Sequence, residues 1–240
     1  MSKKITVNGM DYVLTFEDDF DGGRLDTSKW SLAPEQLRQD IGGRWCDAMT
    51  EVKDSDLILT ARLDEDGTPI SGAIRSKGIF EQAFGYFECR MKFHKTTGFW
   101  GAFWMMCGDV FREDGSAESG VEIDIIESGY RNQGAVNHAL HWDGYGAAHR
   151  QLAHIVEDEG QYDGEYHTYA LQWTREAYVF FIDGRETWRT AECGICDKPG
   201  YLKISTEFGT WAKPIVREEL PDCVRVDWVR VYREECERSE

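Results

Sequence analysis

The sequence has no apolar run long enough to cross a membrane, and it has little positive charge. Its longest apolar stretch, residues 98–106, is far shorter than the roughly 18 consecutive apolar residues that a membrane helix needs. Lysine and arginine number 27 against 44 aspartate and glutamate residues, which gives a formal net charge of −17 at pH 7. Nucleic-acid binding depends mainly on basic residues that neutralise phosphates. We therefore expect a soluble protein with no membrane partner and no nucleic-acid partner.

Cysteine usage and the N-terminus give no sign of secretion. The seven cysteines are odd in number and scattered, which fits reduced thiols better than a disulfide framework. Cys193 and Cys196 form a CxxC, but no second CxxC and no histidine at zinc spacing accompany it, so we expect free thiols in a loop. Residues 1–7 lack the apolar core of a signal peptide. We expect a cytoplasmic protein if this N-terminus is native, and a secreted one if a signal peptide was removed.

Short segments in which apolar and polar residues alternate dominate the chain. Asp-Gly pairs, such as Asp66-Gly67 and Asp183-Gly184, mark turns between them. A helical pattern is confined to residues 27–30 and 217–220. No linker or repeat divides the chain, so we predict one all-β domain over residues 1–240, a two-sheet β-sandwich of jelly-roll type with a concave groove. The alternation is clear at residues 57–61, 85–93, 168–173, 178–183 and 224–232.

One segment, Glu122-Ile123-Asp124-Ile125-Ile126-Glu127, combines three acidic residues with three isoleucines. Side chains at positions i and i+2 of a strand share a face, so Glu122 and Asp124 point the same way. Glu127 follows Glu122 by an odd number of positions, which in a regular strand would direct its carboxyl into the apolar layer. A β-bulge that absorbs Ile125 and Ile126 as one position restores the parity. We therefore predict a bulge that brings all three carboxylates onto one face.

Three carboxylates on one face suit hydrolysis of a glycosidic bond. Carboxyls held close raise one another's pKa, so one can stay protonated near neutrality while another stays ionised. Retaining glycosidases need such a pair, one to attack the anomeric carbon and one to protonate the leaving oxygen. We interpret Glu122 as the nucleophile, Glu127 as the acid/base, and Asp124 as a partner that shares a proton or hydrogen bond. The alternative is an acidic edge strand that only prevents aggregation, but Val121 and the isoleucines favour a central strand.

The acidic segment resembles the bulge-type active-site motif of glycoside hydrolase family 16, which includes laminarinases and agarases. This resemblance implies a β-jelly roll and a retaining cut within β-linked polysaccharides, with the first glutamate as nucleophile and the last as acid/base. It implies no organic cofactor. It extends over nearly the whole chain, through residues 16–22, 25–30, 85–92, 100–104, 167–173, 182–184 and 226–232.

Aromatic residues near the motif suit a sugar groove, because aromatic rings stack on the apolar faces of sugars. Trp100 and Trp104, four residues apart, fall on one face of a strand, and the matching tryptophans of the family border the sugar site. His141 matches a family histidine close to the acid/base. We prefer it to His138, which should face elsewhere. Core packing of the tryptophans and an ordinary strand histidine are the competing interpretations.

Two segments depart from laminarinases and leave the substrate open. Where that group usually has an Asn-rich segment, residues 42–49 carry Arg44 and Trp45, which we expect to occupy the subsite. Residues 205–211 replace a Gly-rich glucanase segment with a pattern reminiscent of agarases, which makes Glu207 and Trp211 candidate sugar contacts. A structural role for Glu207 and Trp211 is an equal alternative. A β-1,3-type glucan is the first expected substrate, and a neutral β-galactan is the alternative.

The net charge and two candidate metal ligands lead to two further expectations. The net negative charge disfavours a strongly sulfated polysaccharide, unless basic residues such as Arg38, Arg44 and Arg75 gather in the groove. Family members often bind a structural calcium through a carboxylate near the start and one in the final strand, which implies Asp19 and Asp227 here. Solvated surface acids are the competing interpretation.

No other cofactor is implied, and we expect a monomer that binds a polysaccharide or oligosaccharide. Two rival functions remain. A non-catalytic carbohydrate-binding jelly roll would keep Trp100 and Trp104 but would not need Glu122 and Glu127 together. A structural sandwich would have no groove and would hydrolyse no polysaccharide.

Overall fold

Mostly antiparallel strands dominate the computed structural model, which describes residues 3–235. Eighteen strands form one sheet of eleven strands and one of seven. The strands are β1 Lys4–Val7, β2 Met10–Asp18, β3 Ser31–Leu32, β4 Arg44–Trp45, β5 Thr50–Lys53, β6 Asp56–Leu63, β7 Pro69–Ser71, β8 Ala73–Arg75, β9 Gly85–Lys92, β10 Phe99–Gly108, β11 Gly120–Glu127, β12 Ala135–Trp142, β13 Arg150–Glu157, β14 His167–Trp173, β15 Tyr178–Ile182, β16 Arg185–Thr190, β17 Gly200–Phe208 and β18 Asp222–Glu234. The short 3-10 helices are Asp47–Met49, Arg131–Gln133, Glu159–Tyr162, Thr210–Ala212 and Arg217–Glu219.

The seven-stranded sheet has the order β13-β12-β11-β10-β17-β8-β3. The eleven-stranded sheet follows β16-β15-β14-β9-β18-β6-β7-β4, with β2 also paired to β18, β5 to β6, and β1 to β2. The acidic segment forms β11, which lies between β10 and β12. It is therefore in a central strand, as its isoleucines predict, and not at an edge. The predicted two-sheet β-sandwich is confirmed.

The inner faces of the two sheets pack on each other through apolar side chains that alternate along each strand. Met105, Ile123 and Ile204 of the smaller sheet share one buried cluster with Phe87 and Leu171 of the larger sheet. Full burial of one such side chain stabilises the fold by about 1.5–3 kcal/mol. Because the inward positions carry the core, the outward positions of the smaller sheet are free to carry polar and aromatic side chains.

Local structure departs from the sequence expectations at three places. The regular alternation expected over residues 224–232 is interrupted by a bulge between Val226 and Trp228, so Val226 and Val229 both reach the core. The helical pattern expected at residues 217–220 is present only as the 3-10 helix Arg217–Glu219. Residues 27–30 form a turn instead of a helix.

The cysteines that the structure describes are free thiols. Cys193 and Cys196 are buried in the loop between β16 and β17, where Cys196 donates its backbone N–H to the hydroxyl of Tyr178. Cys236 lies outside the described residues. None of the helices within residues 3–235 is long and apolar enough to span a lipid bilayer. A single domain over residues 1–240 stays a prediction.

Candidate active site

β11 has a bulge at the position that the parity of its acidic residues predicts. Asp124 is opposite Ala139 of β12, whereas Glu127 is opposite Asn137, so three steps along β11 face two steps along β12. The pairing of β11 with β10 shifts at the same place. Both isoleucines of the bulge are fully buried. Because the bulge absorbs one residue, Glu127 shares the outer face with Asp124. The predicted bulge is confirmed.

Glu122, Asp124 and Glu127 line one groove on the outer face of the seven-stranded sheet. The groove has a volume of about 1000 Å³, which is at the upper end of the range for ligand sites. Outward side chains of β10, β11, β12, β13 and β17 form its floor, and the loops beyond these strands form its ends. This predicted concave groove is therefore present, and the three acidic residues lie on its floor.

Each carboxyl of this group has its own polar neighbour. The side-chain amide of Asn137 donates to Oε2 of Glu127 at 2.8 Å. The hydroxyl of Tyr145 donates to Oε2 of Glu122. Nε2 of His141 lies 3.2 Å from Oδ2 of Asp124. Asp124 is only 4% exposed and its Oδ2 accepts no directed hydrogen bond, so the contact with His141 is electrostatic.

The register between β11 and β12 corrects the position expected for His141. His141 lies opposite Glu122, at the far end of the acidic segment from Glu127, and Asn137 is the residue opposite Glu127. His141 lines the groove, whereas His138 does not. His138 is fully buried and contacts the backbone oxygen of Ile125 through Nδ1.

Burial and mutual repulsion raise the pKa of all three carboxyls. Burial, followed by repulsion from Asp124, raises the pKa of Glu122 to about 8. Burial, followed by repulsion from Glu207, raises the pKa of Asp124 to about 8. Burial and then Asp124 raise the pKa of Glu127 well above its usual range, although the hydrogen bond from Asn137 opposes the shift. At neutral pH the group therefore holds at least one proton.

The closest grouping in the site is formed by Glu122, Asp124 and His141. One side-chain atom of each lies within 4.8 Å of the others. Nδ1 of His141 is already 3.0 Å from Nε2 of His149, and its Nε2 faces Asp124. Because both nitrogens of His141 have neighbours within the protein, we interpret this grouping as one that shares protons and not as a metal centre.

Four of the sequence-predicted tryptophan positions line the groove, namely Trp45, Trp100, Trp104 and Trp211. The rings of Trp100 and Trp211 lie 4.8 Å apart between centroids. Trp104 donates its indole N–H to the hydroxyl of Ser205 at 3.0 Å. Although Trp100 and Trp104 are 4% and 8% exposed, they face the groove and not the core between the sheets. They are therefore part of the groove lining.

Arg44 does not join the groove, in contrast to its neighbour Trp45. Its guanidinium lies 3.5 Å from Asp64 and 3.7 Å from Glu35, both of which are outside the groove lining. Trp45 lines the groove and donates its indole N–H to the backbone oxygen of Thr206 at 3.2 Å. Adjacent residues of a strand point to opposite faces, so only one of the pair can reach the site.

Glu207 lines the groove but is already paired. Its Oε2 lies 3.3 Å from the guanidinium of Arg38, and it is opposite Trp100 across the β10–β17 pair. Burial raises the pKa of Glu207, and the charges of Arg38 and Lys203 oppose the shift. A neutral or arginine-bound Glu207 can accept or donate a hydrogen bond to a sugar hydroxyl.

The sequence did not identify Lys203, Tyr145 or Asn137 as groove residues. It indicated Arg38 and Arg75 only as basic residues that would have to gather in the groove for a sulfated polysaccharide to bind. All five line the groove. The ammonium of Lys203 lies between the rings of Trp45 and Trp104, at 4.7 and 3.5 Å from their centroids. Alternation along β17 could have identified Lys203, because Glu207 and residue 203 are separated by an even number of positions. Tyr145 is in a loop, where no periodicity operates.

The proposed calcium ligands Asp19 and Asp227 are each paired with an arginine. Asp19 accepts a hydrogen bond from Arg230 at 3.0 Å, and Asp227 accepts one from Arg90. Calcium requires several oxygen ligands whose negative charge is available to the ion. A guanidinium that already neutralises each carboxylate competes with such an ion, so these two residues do not fit a preformed calcium site.

Comparison with known proteins gives a match over almost the whole chain. A family model described as beta-porphyranase A-D, GH16 domain, matches residues 11–234. A glucan endo-1,3-beta-glucosidase A1 of Niallia circulans is 25% identical over 260 residues, which cover 92% of this chain and 38% of that protein. A keratan-sulfate endo-1,4-beta-galactosidase of Sphingobacterium multivorum is 28% identical over 255 residues, covering 95% and 57%. This chain thus spans less than two thirds of the length of either relative.

A solved structure has the same fold over its whole length. It is the Bacteroides ovatus mixed linkage glucan GH16 protein in complex with a product. It is 26% identical, superposes with a TM-score of 0.76, and the match covers 90% of this chain and 99% of that one. The similarity in fold therefore extends over nine tenths of this chain.

Proposed function

Because the chain belongs to glycoside hydrolase family 16, we propose that it cleaves β-linked polysaccharides internally, by a double displacement that retains anomeric configuration. The observation that carries the proposal is the bulge of β11, which directs Glu122 and Glu127 into the same groove. In a regular strand the second glutamate would face the apolar layer and could not reach a sugar.

Binding comes first in the proposed mechanism. Trp100, Trp104 and Trp211 present apolar ring surface to the groove, and a sugar chain stacks on such surface without requiring charge. Polar side chains between the rings, such as Glu207, fix the orientation of the hydroxyls. Stacking and hydrogen bonding together position the scissile bond above the carboxyls of β11.

Bond cleavage then uses two carboxyls in different charge states. Burial and the neighbouring Asp124 raise the pKa of Glu127 well above its usual range, and we propose that it protonates the leaving glycosidic oxygen. Glu122, which accepts a hydrogen bond from Tyr145, attacks the anomeric carbon and forms a covalent glycosyl ester. Glu127, now ionised, removes a proton from water, which attacks the ester and releases Glu122. The two inversions restore the original configuration.

Asp124 adjusts the charges of both outer glutamates. It contributes the repulsion that raises the pKa of Glu122 and of Glu127. Because a carboxyl oxygen of Asp124 lies within 4.8 Å of one of Glu122, the two can share a proton, which stays on Asp124 when Glu122 forms the covalent bond. We propose this role in place of direct contact with the leaving group.

A β-1,3-type glucan is the first substrate that we propose, and the Niallia circulans relative named for that linkage supports it. A β-galactan is the second candidate, and a specific feature of the groove favours it. Lys203, Arg38 and Arg75 line the groove of a protein whose net charge is −17, and Nε of Arg75 has no hydrogen-bond partner. Such a local cluster of cations suits a galactan that carries anionic substituents.

A polysaccharide screen tests the proposal. Purified protein is incubated with laminarin, lichenan, agarose, porphyran and arabinogalactan, products are separated by chromatography, and the anomer formed first is identified by NMR. We expect oligosaccharides of several lengths with the β-configuration retained. Release of the α-anomer would refute the double displacement, and release of monosaccharide alone would refute an internal cut. Glu122→Gln should abolish turnover with the fold intact by circular dichroism.

A further inference from the structure

The residues that join β12 to β13, residues 143–149, extend over one end of the groove and contact the carboxyl assigned as nucleophile. Tyr145 is half-exposed, at 49%, yet its hydroxyl reaches inward and donates to Oε2 of Glu122. The same hydroxyl lies 3.6 Å from the sulfur of Met106. The ring of Tyr145 therefore forms part of the rim, while its polar tip is in the acidic group.

This loop is held in place at its base. Asp143, which is 2% exposed and has a left-handed φ of 61°, accepts the backbone N–H groups of Asp114 and Gly115, each at 3.1 Å. Its other oxygen lies 3.2 Å from the guanidinium of Arg150. A non-glycine residue with a left-handed φ persists where surrounding contacts fix it. The direction of Tyr145 is therefore set by contacts with a second loop.

We infer that Tyr145 is a positioning residue, whose hydroxyl keeps Glu122 oriented for attack on the sugar and favours its ionised form. This inference rests on the proposed function, because it assigns a task to the nucleophile of that reaction. Phe111, which is 65% exposed, packs edge-on against the ring of Tyr145 at 5.6 Å between centroids and supports it from the solvent side.

The charges around Glu122 explain why such a donor is needed. Burial and Asp124 raise the pKa of Glu122, whereas the hydrogen bond from Tyr145 lowers it. Burial and the neighbouring Glu122 raise the pKa of Tyr145, so the phenol stays protonated and can only donate. The titratable groups that face Glu122 are Asp124 and Glu127 of β11, His141 of β12, Tyr145 and His149 of the loop, and Tyr201 and Lys203 of β17.

A hydrogen bond to a carboxylate favours its ionised form, so its loss raises the pKa of that carboxyl. Hydrogen bonds to charged groups contribute about 1.5–3 kcal/mol, which corresponds to roughly one to two pH units in the titration of the acceptor. Tyr145→Phe removes only the donor and keeps the ring. Tyr130→Phe is the matched control, because Tyr130 also lines the groove and its ring packs on Trp211, away from Glu122.

Carbon-13 NMR of protein labelled at the glutamate carboxyls measures the effect directly. The signal of Glu122 is assigned as the one lost in Glu122→Gln, and its titration midpoint is then compared in the wild type and the two tyrosine variants. We expect the midpoint to rise by about one pH unit or more in Tyr145→Phe and to stay unchanged in Tyr130→Phe. An unchanged midpoint in Tyr145→Phe, or an equal rise in both variants, overturns the inference.

The pH dependence of kcat/KM provides a second readout on whichever polysaccharide is cleaved. The acidic limb, which reports ionisation of the nucleophile, should move upward by the same amount in Tyr145→Phe, with about tenfold lower kcat/KM below that limb. If the proposed function is wrong, the wild type cleaves none of the polysaccharides. The NMR titration still shows whether Tyr145 lowers the pKa of Glu122, so the two failures are distinguishable. A limb that stays in place in an active Tyr145→Phe enzyme contradicts the inference alone.

Discussion

The ammonium nitrogen of Lys203 lies 3.5 Å from the ring centroid of Trp104, directly opposite it across the β10–β17 pair. Cation–π contacts of this kind contribute about 0.5–2 kcal/mol. Burial lowers the pKa of Lys203 to about 8, although Glu207 and Glu122 favour its charged form. The contact therefore covers one face of the Trp104 ring and places a positive charge within the acidic group.

Replacing this lysine should separate the two candidate substrates. In Lys203→Met we expect KM to rise about tenfold for a galactan with anionic substituents and to change little for laminarin, because only the first loses a charge partner. Steady-state kinetics on both substrates measure the difference. Lys77→Met is the control, since Lys77 packs on the ring of Tyr201 and not on the groove tryptophans. Equal changes on both substrates would argue against a charge-specific subsite.

The hydrogen bond from Asn137 to Glu127 should set the basic limb of activity. This bond stabilises the ionised form and opposes the rise in the pKa of Glu127 that burial causes. Its removal in Asn137→Ala raises that pKa further, so the acid stays protonated to higher pH and the basic limb of kcat/KM moves upward. We also expect about tenfold lower kcat, because the carboxyl loses its fixed orientation.

The matched control for Asn137→Ala is Gln151→Ala, which removes another amide from the groove lining. We expect the pH profile of that variant to match the wild type. A basic limb that moves downward in Asn137→Ala, or moves equally in both variants, would contradict the assigned role of Glu127.

Gly129 supports a groove tryptophan by having no side chain. A Cβ atom at this position would lie 1.8 Å from the ring of Trp211, so Gly129→Ala must displace the indole. We expect KM to rise severalfold with kcat retained, and the free energy of unfolding to fall by about 1–3 kcal/mol. Gly146→Ala is the control, because no atom lies within 4 Å of the added Cβ. A crystal structure of Gly129→Ala, or its intrinsic fluorescence, would report whether the indole of Trp211 has moved. An indole in its original position would refute this explanation.

The carboxyl cluster should make the protein less stable as pH rises. The pKa of Glu122 is raised from its usual 4.5 to about 8, by burial first and Asp124 second. Between these values the folded state binds more protons than the unfolded state, so the free energy of unfolding falls with increasing pH. Glu122→Gln removes the contribution of Glu122 to this dependence. We expect its melting temperature to exceed that of the wild type by about 2–4 °C at pH 8 and not at pH 4.

Scanning calorimetry of wild type and Glu122→Gln across this range provides the comparison. Glu186→Gln is the control, because Glu186 is an exposed residue whose pKa is lowered by Arg189. A Glu122→Gln variant that is less stable than the wild type at pH 8 would show that Glu122 is not a strained, buried acid.

Chelation should leave the stability of the protein unchanged. The carboxylates of Asp19 and Asp227 are already neutralised by Arg230 and Arg90, so no bound calcium is needed to screen them. A ligand that binds only the folded state raises the melting temperature, and the rise grows with the logarithm of its concentration. We therefore expect identical melting curves with EDTA and with added calcium. A clear rise with calcium would restore these two aspartates as candidate ligands.

The sequence predicts those features that follow from periodicity. Alternation of apolar and polar residues identifies the strands, because each sheet buries one face. The bulge follows from the same rule, since Glu122 and Glu127 can share a face only if one residue is absorbed. The even number of positions between Trp100 and Trp104 places both on one face, whereas the family resemblance implies that this face borders the sugar. These predictions depend on the local chain alone.

Other features depend on contacts between distant segments, which no local pattern encodes. Asp19 and Arg230 are 211 residues apart, so the ion pair that competes with calcium could not be anticipated. Tyr145 reaches Glu122 only because Asp143 binds the backbone of a separate loop. Arg44 was grouped with Trp45 because the sequence does not tell which of two neighbours on a short strand faces inward.

Rescue of inactive variants by azide tests the roles of the two outer glutamates most directly. In Glu122→Ala, azide can enter from the face vacated by the nucleophile and displace the leaving group in one step, so the account predicts an α-glycosyl azide. In Glu127→Ala the covalent ester still forms from an activated substrate, and azide then gives a β-glycosyl azide. NMR of the two products distinguishes the configurations. A β-azide from Glu122→Ala, or wild-type turnover by that variant without azide, would contradict the account.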